Sequence, residues 1–177
     1  MVVLDGCYFI RLVVFWLGYA KVSTYIKTYQ GWRYLASVLD LSSKQVVGWA
    51  LSKQPNTQLA RDALSNVISR HQPNANTLMF HSDQGVQYCA NAFAQYCKSK
   101  SITQSMSRRG NCWDNAVMER FFRSLKTELL NYQSFANHQE VVENVESYIY
   151  FYNYKRIHSV IGYITPAQKM AELKKVA

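Results

Sequence analysis

Proline and glycine are scarce, three and seven among 177 residues. No Pro/Gly-rich linker, low-complexity tract or internal repeat interrupts the chain, which argues against a second folded domain. The four cysteines, Cys7, Cys89, Cys97 and Cys112, form no C-x-x-C pair. That spacing speaks against zinc and for free thiols in a reducing compartment. No uncharged apolar run reaches the ~20 residues of a membrane span, and Arg11 breaks the apolar start. No basic stretch with a small-residue cleavage site marks a signal peptide. The expectation is a cytoplasmic chain with no membrane partner. Acids are also few: eleven Asp and Glu stand against twenty Lys and Arg, a net charge of +9. Such a balance favours a polyanionic partner, nucleic acid first; a merely soluble basic protein is the alternative.

What is present reads as an α/β chain. Tyr25, Trp32 to Leu41 and Gln45 to Leu51 are dense in Val, Leu, Tyr and Trp, with Gln30-Gly31 and Ser42-Ser43 between them. Short connections of this kind predict an antiparallel meander. Asn56 or Thr57 caps a helix through about Arg70, with Leu59, Ala63, Leu64, Val67 and Ile68 as its buried stripe and Pro73 ending it. Thr77 to Ser82 is a fourth strand, Ala90 to Lys100 a helix and Ile102 to Met106 a fifth strand. Asp114 is a candidate N-cap for a helix carrying Val117, Phe121 and Leu125. Asn137, with Glu140 three residues on, opens another helix. The order predicts a mixed five-stranded sheet flanked by helices. The tail, residues 171–177, is expected to fray.

Two acids stand out. Asp83 closes the fourth strand, and Glu119 lies about a turn and a half into the later helix, with Arg123 and Lys126 on its face. Hard carboxylate oxygens suit Mg²⁺ or Mn²⁺, usually shared with substrate phosphates. Two such ions roughly 4 Å apart serve phosphodiester displacement. A turn-forming acid and a helix-dipole partner would read the same way. From Lys98 to Lys126, seven cations meet only two acids, Asp114 and Glu119. Arg108 and Arg109, in the loop from Ser105 to Trp113, suit phosphate forks; a solvated loop would look alike. His81 shares the period-two face of Asp83 and is a candidate hydrogen-bond donor or base beside it, against the plainer reading of a packed histidine.

HSDQGVQY at His81, SMSRRGNCWDNA before Glu119, ERFFRSLKTE after it, and the thirty-five residues between Asp83 and Glu119 together resemble the catalytic core of insertion-sequence transposases. The closing Tyr152-Asn-Tyr-Lys-Arg156-Ile-His158, Gly162-Tyr163 and Pro166 resemble that family's ending. The match runs from about Thr24 to Pro166. The resemblance implies a ribonuclease H-like, retroviral integrase-like fold with an Asp, Asp, Glu triad and two Mg²⁺ or Mn²⁺ ions. It implies cleavage and strand transfer on DNA, at element ends and target, by a homo-oligomer assembled on the nucleoid. Asp83 and Glu119 become the metal ligands. Arg108, Arg109, Arg123, Lys126 and Arg156 become DNA contacts, and Tyr150 and Tyr154 either stack on a strand or pack.

The same resemblance exposes a departure. The first triad acid should precede Thr24-Tyr25-Ile26, and that position is Val22; a Trp expected three residues earlier is Tyr19. Residues 1–23 therefore read as an aberrant or truncated start, from a frameshift or a misplaced initiation. If Tyr29 to Gly31 forms the hairpin turn, Asp40 lies across from about Ala20 and supports the site without replacing its first acid. The expected function is a transposase core impaired by Val22. The alternatives are a non-catalytic DNA-binding remnant and, more remotely, a cellular ribonuclease or Holliday-type nuclease.

Overall fold

The computed structural model describes residues 17–73, 78–107 and 116–176, the first seven and the last as backbone only. β1 (Leu17–Thr28), β2 (Gly31–Asp40) and β3 (Val46–Ser52) precede α1 (Thr57–His71). β4 (Met79–Ser82), α2 (Val86–Cys89), α3 (Asn91–Ser99) and β5 (Thr103–Met106) follow. α4 (Ala116–Glu128), α5 (His138–Tyr154) and α6 (Pro166–Val176) complete the chain. The strands form a five-stranded sheet in the order β3-β2-β1-β4-β5. β1, β2 and β3 pair antiparallel, whereas β4 pairs parallel with both β1 and β5.

Alternation along the strands sends side chains into two separate cores. Ala36, Val38, Val47 and Phe80 meet Leu59, Ala63, Leu64 and Val67 of α1 together with Phe93 and Cys97 of α3. Ile26, Leu35, Leu39 and Val46 meet Met118, Phe121, Phe122 and Leu125 of α4 and Val141, Val145, Tyr148 and Tyr152 of α5. α1 seats close to β3 because Gly48 has no side chain: a Cβ there would lie 2.5 Å from Val67 Cγ2 and 2.7 Å from the Ala63 carbonyl. Asn56 caps α1, its side chain accepting from the Leu59 N–H at 3.0 Å. Asn137 caps α5 by the same bond from Glu140, and the Glu140 carboxylate accepts from the Ala136 N–H.

The last described element is helical: α6 runs to Val176. Its start is a capping box. The Thr165 hydroxyl accepts from the Gln168 N–H, the Gln168 side chain accepts from the Thr165 N–H, and Pro166 takes the first helical position. The hairpin register differs from the expectation. The turn is two residues, with Thr28 opposite Gly31, and the ladder slips once more between Val22 and Thr24. Asp40 therefore stands opposite Gly18, and Val38 opposite Ala20. A shorter turn and a bulge moved the pairing by two residues.

Candidate active site

The site is built where β1 and β4 run side by side. Ala20 is level with Ser82, so the next step of the register sets Lys21 level with Asp83 and Val22 one residue beyond. The position expected to hold the first acid is thus a near neighbour of Asp83 in the backbone. The ladder irregularity between Val22 and Thr24 falls on this spot, as bulges often do beside functional groups.

Asp83 follows the last residue of β4. Its Oδ1 accepts from the Gly85 N–H at 3.0 Å, a local turn that aims the carboxylate. Gly85 has little room: an added Cβ would lie 3.0 Å from Asp83 Oδ1. Beside it, the Gln84 amide donates to the Ser107 carbonyl at 3.2 Å and ties this turn to the end of β5. Phe80 belongs to the core under α1, so His81 lies on the opposite face, the one α4 and α5 cover. His81 Nδ1 is 2.9 Å from the Ser105 hydroxyl of β5.

α4 packs against β1 on that same face. Met118, Phe121, Phe122 and Leu125 are its buried side, which leaves Glu119 and Arg123 outward and Lys126 half-buried. Glu119, Arg120, Arg123, Ser124 and Thr127 line one wall of a groove, and Arg156 to Val160 with Tyr163 line the other. Lys126 Nζ sits 5.6 Å from the centre of the Tyr25 ring.

Arg156, which also lines the groove, has partners within the fold. Its Nε and Nη2 donate to the Glu128 carboxylate at 2.9 to 3.2 Å, and Nη2 reaches the Ser124 hydroxyl at 3.3 Å. The Tyr148 hydroxyl donates to the same carboxylate at 2.9 Å. The guanidinium is used to clamp the end of α5 to the end of α4. His158, packed edge-on against Tyr152 at 4.8 Å, is held down to a pKa of about 4 by burial and then by the Arg156 charge. One turn earlier in α5, Asn153 is buried and mimics a strand partner. Its side chain accepts from the Val46 N–H and donates to the Val46 carbonyl, both at 2.9 Å. The closing motif is therefore, in part, a set of internal fasteners.

Asp40 lies away from the site. Opposite Gly18, it is four residues from the Val22 level, about 13 Å along the strand. It also borders a small cavity with Val38, Leu64, Val67 and Phe80, on the α1 face of the sheet. Its Oδ1 accepts from the Ser43 N–H at 2.7 Å and from the Ser43 hydroxyl at 2.6 Å. Burial raises its pKa against those hydrogen bonds. Asp40 closes the turn between β2 and β3. Arg108, Arg109 and the cap Asp114 lie outside the described residues. Tyr150 and Tyr154 stack on one another at 5.0 Å on the exposed side of α5.

Hard carboxylate oxygens are the donors that suit a divalent ion such as Mg²⁺. Among the described residues no group of three or more His, Cys, Asp or Glu side chains could hold a metal. Asp83 and Glu119 would be the two carboxylates offered to Mg²⁺ or Mn²⁺, an ion that one or two carboxylates plus substrate phosphates usually hold.

A model described as "Integrase core domain" matches residues 23–112, and a second of the same description matches 100–166. A transposase for insertion sequence element IS904 of Lactococcus lactis is 38% identical over 152 residues, 85% of this chain and 58% of that protein. Transposase InsF for insertion sequence IS3A of Escherichia coli is 40% identical over 146 residues, 82% of this chain and 50% of its own length. The chain spans about half the length of these curated relatives. In fold it is similar to the catalytic core domain of BIV integrase, with a TM-score of 0.68 and 21% identity over 90% of this chain and 96% of that one. It is likewise similar to a simian T-cell lymphotropic virus intasome structure, with a TM-score of 0.73 and 18% identity over 88% of this chain and 54% of that chain. The chain belongs to the integrase core domain family, and its sequence is similar to the cores of insertion-sequence transposases.

Proposed function

We propose that this chain is a ribonuclease H-like transposase core that binds DNA and holds two of the three acids needed for metal-dependent strand cleavage and transfer. The observation that supports the reading is the β1–β4 register, which pairs Ala20 with Ser82, two residues before Val22 and one before Asp83. Asp83 and Glu119 would hold the divalent ion. Bound there, the ion would supply Lewis-acid activation of the phosphodiester. Arg123 and Lys126, on the same helix as Glu119, would hold phosphates in a largely sequence-neutral, salt-dependent way; Arg108 and Arg109 would add to this from their loop. His81, tied to Ser105, would orient groups near Asp83.

With Val22 in place of the first acid, Asp83 and Glu119 alone would hold the metal, so the chain is expected to bind DNA and not to complete transposition. Element ends and target would be its DNA partners, in a homo-oligomer assembled on DNA in a bacterial cytoplasm. Residues 1–23 are an aberrant start on this reading. The DNA preceding codon 24, read in the other two frames, should then encode the Trp-x-x-Asp pattern; its absence from both would remove this part of the proposal.

The test is incubation of the purified chain with labelled oligonucleotides and Mg²⁺ or Mn²⁺. The expected result is salt-sensitive binding without cleavage or joining. Val22→Asp should restore little activity by itself if the preceding strand also departs from the working arrangement. Robust cleavage by the unmodified chain would overturn the impaired-core reading. Failure to bind DNA at low salt would overturn the DNA-binding one.

A further inference from the structure

Three residues past the Val22 position, the surface changes character. Tyr25 is 61% exposed and Trp32 is 48% exposed, yet they meet edge to face with ring centres 5.3 Å apart. Lys126 of α4 reaches across to the Tyr25 ring. Tyr29, at the tip of the same hairpin, is 83% exposed. From Ser23 to Leu39 the hairpin carries an exposed Lys27, a buried Arg33 and no acid. Large exposed rings ordered by each other and by an ammonium group, with no exposed carboxylate on the hairpin from Thr24 to Asp40, suit a flat anionic ligand. Nucleobases stack on such rings while the cation meets the phosphate. An aliphatic or acidic protein partner would leave the ammonium group or the ring faces poorly matched.

We infer that Tyr25, Trp32 and Lys126 form a stacking platform for unpaired nucleotides flanking the reacting phosphate. The inference rests on the DNA-binding reading and names the form of DNA. Lys126 lies seven residues beyond Glu119 on α4, about 10 Å along the helix, so one or two nucleotides span the gap. A duplex keeps its bases stacked on one another and cannot present them to these rings. A frayed or single-stranded flank can.

The experiment compares the full chain binding a blunt duplex with the same duplex carrying a short unpaired tail, by fluorescence anisotropy. The wild-type chain should prefer the tailed form. Tyr25→Leu and Trp32→Ala should weaken tailed binding roughly 5- to 100-fold, the range a lost base–aromatic stack produces. Both should leave blunt binding and the melting temperature nearly unchanged. Tyr25→Phe and Trp32→Phe should retain the preference. Trp32→Phe should also abolish the part of the tryptophan quenching that follows the tail. Equal affinity of the wild-type chain for the two forms, or equal loss on both in the variants, overturns the platform and leaves the DNA-binding reading standing. A chain that binds neither form overturns both.

Discussion

Arg156 and Glu128, twenty-eight residues apart in sequence, meet through two guanidinium nitrogens and both carboxylate oxygens. The pair joins the last turn of the helix that carries Glu119 to the end of α5. Both side chains keep about a third of their surface, so solvent screening limits its strength. Arg156→Ala should lower unfolding stability by about 1–2 kcal/mol in urea titration. Arg156→Lys should recover less than half, because an ammonium group cannot make the fork. Neither change should alter the salt dependence of DNA binding. Arg123→Ala should leave stability nearly unchanged and reduce that slope by about 1. A slope that responds to Arg156 instead would return the guanidinium to the DNA.

Asn153→Ala removes both partners of the Val46 peptide group in a buried place. The orphaned N–H and C=O should cost about 2–4 kcal/mol together. Asn153→Asp should be no better than alanine, since it restores the acceptor without the donor and adds a buried charge. Chemical denaturation compared across the three proteins checks this ordering.

Gly85→Ala sets a methyl group 3.0 Å from Asp83 Oδ1. The backbone there tolerates a side chain, with φ near −58°, so the fold should survive. The carboxylate has to shift by a few tenths of an ångström. Mn²⁺ affinity in the presence of DNA should fall several-fold, with the melting temperature within a few degrees of the parent. Unchanged affinity, read by calorimetry, would mean that Asp83 is not a ligand.

His158 titrates at about 4 in the folded chain because burial and then Arg156 disfavour its charge, against an ordinary value near 6.5. Between these values the unfolded chain holds the extra proton. This contribution to stability is complete above pH ~6.5 and drains away as pH falls toward 4. His71 is shifted in the same direction, by burial first. His158→Gln should flatten the pH dependence of the melting temperature in that window; a slope identical to the parent would remove His158 as its source.

Much of the fold could be read from local chemistry. The Asn56 and Asn137 caps, the Leu59 to Val67 stripe and the acid at the end of β4 each rest on neighbours within a few residues, and each stands in the structure. Pairing was harder. Tyr29 to Gly31 does not say whether two or three residues turn, and nothing near Ser23 announces the slip in the ladder, so Asp40 was expected two residues from its true partner. The α6 capping box was legible in Thr165-Pro166-Ala167-Gln168. The duties of Arg156 and Asn153 were not legible, because their partners are Glu128 and Val46, far off in the chain. A basic and aromatic motif can serve DNA or the protein itself with the same letters.

The Asn153–Val46 pairing bears on how the molecule keeps its own company. β3 is the outer strand of the sheet, and an outer strand invites a second chain to continue the ladder. At Val46 the outward amide and carbonyl are already taken by a side chain from α5. An arriving strand finds no docking register there, and the sheet stops growing where α5 has plugged it.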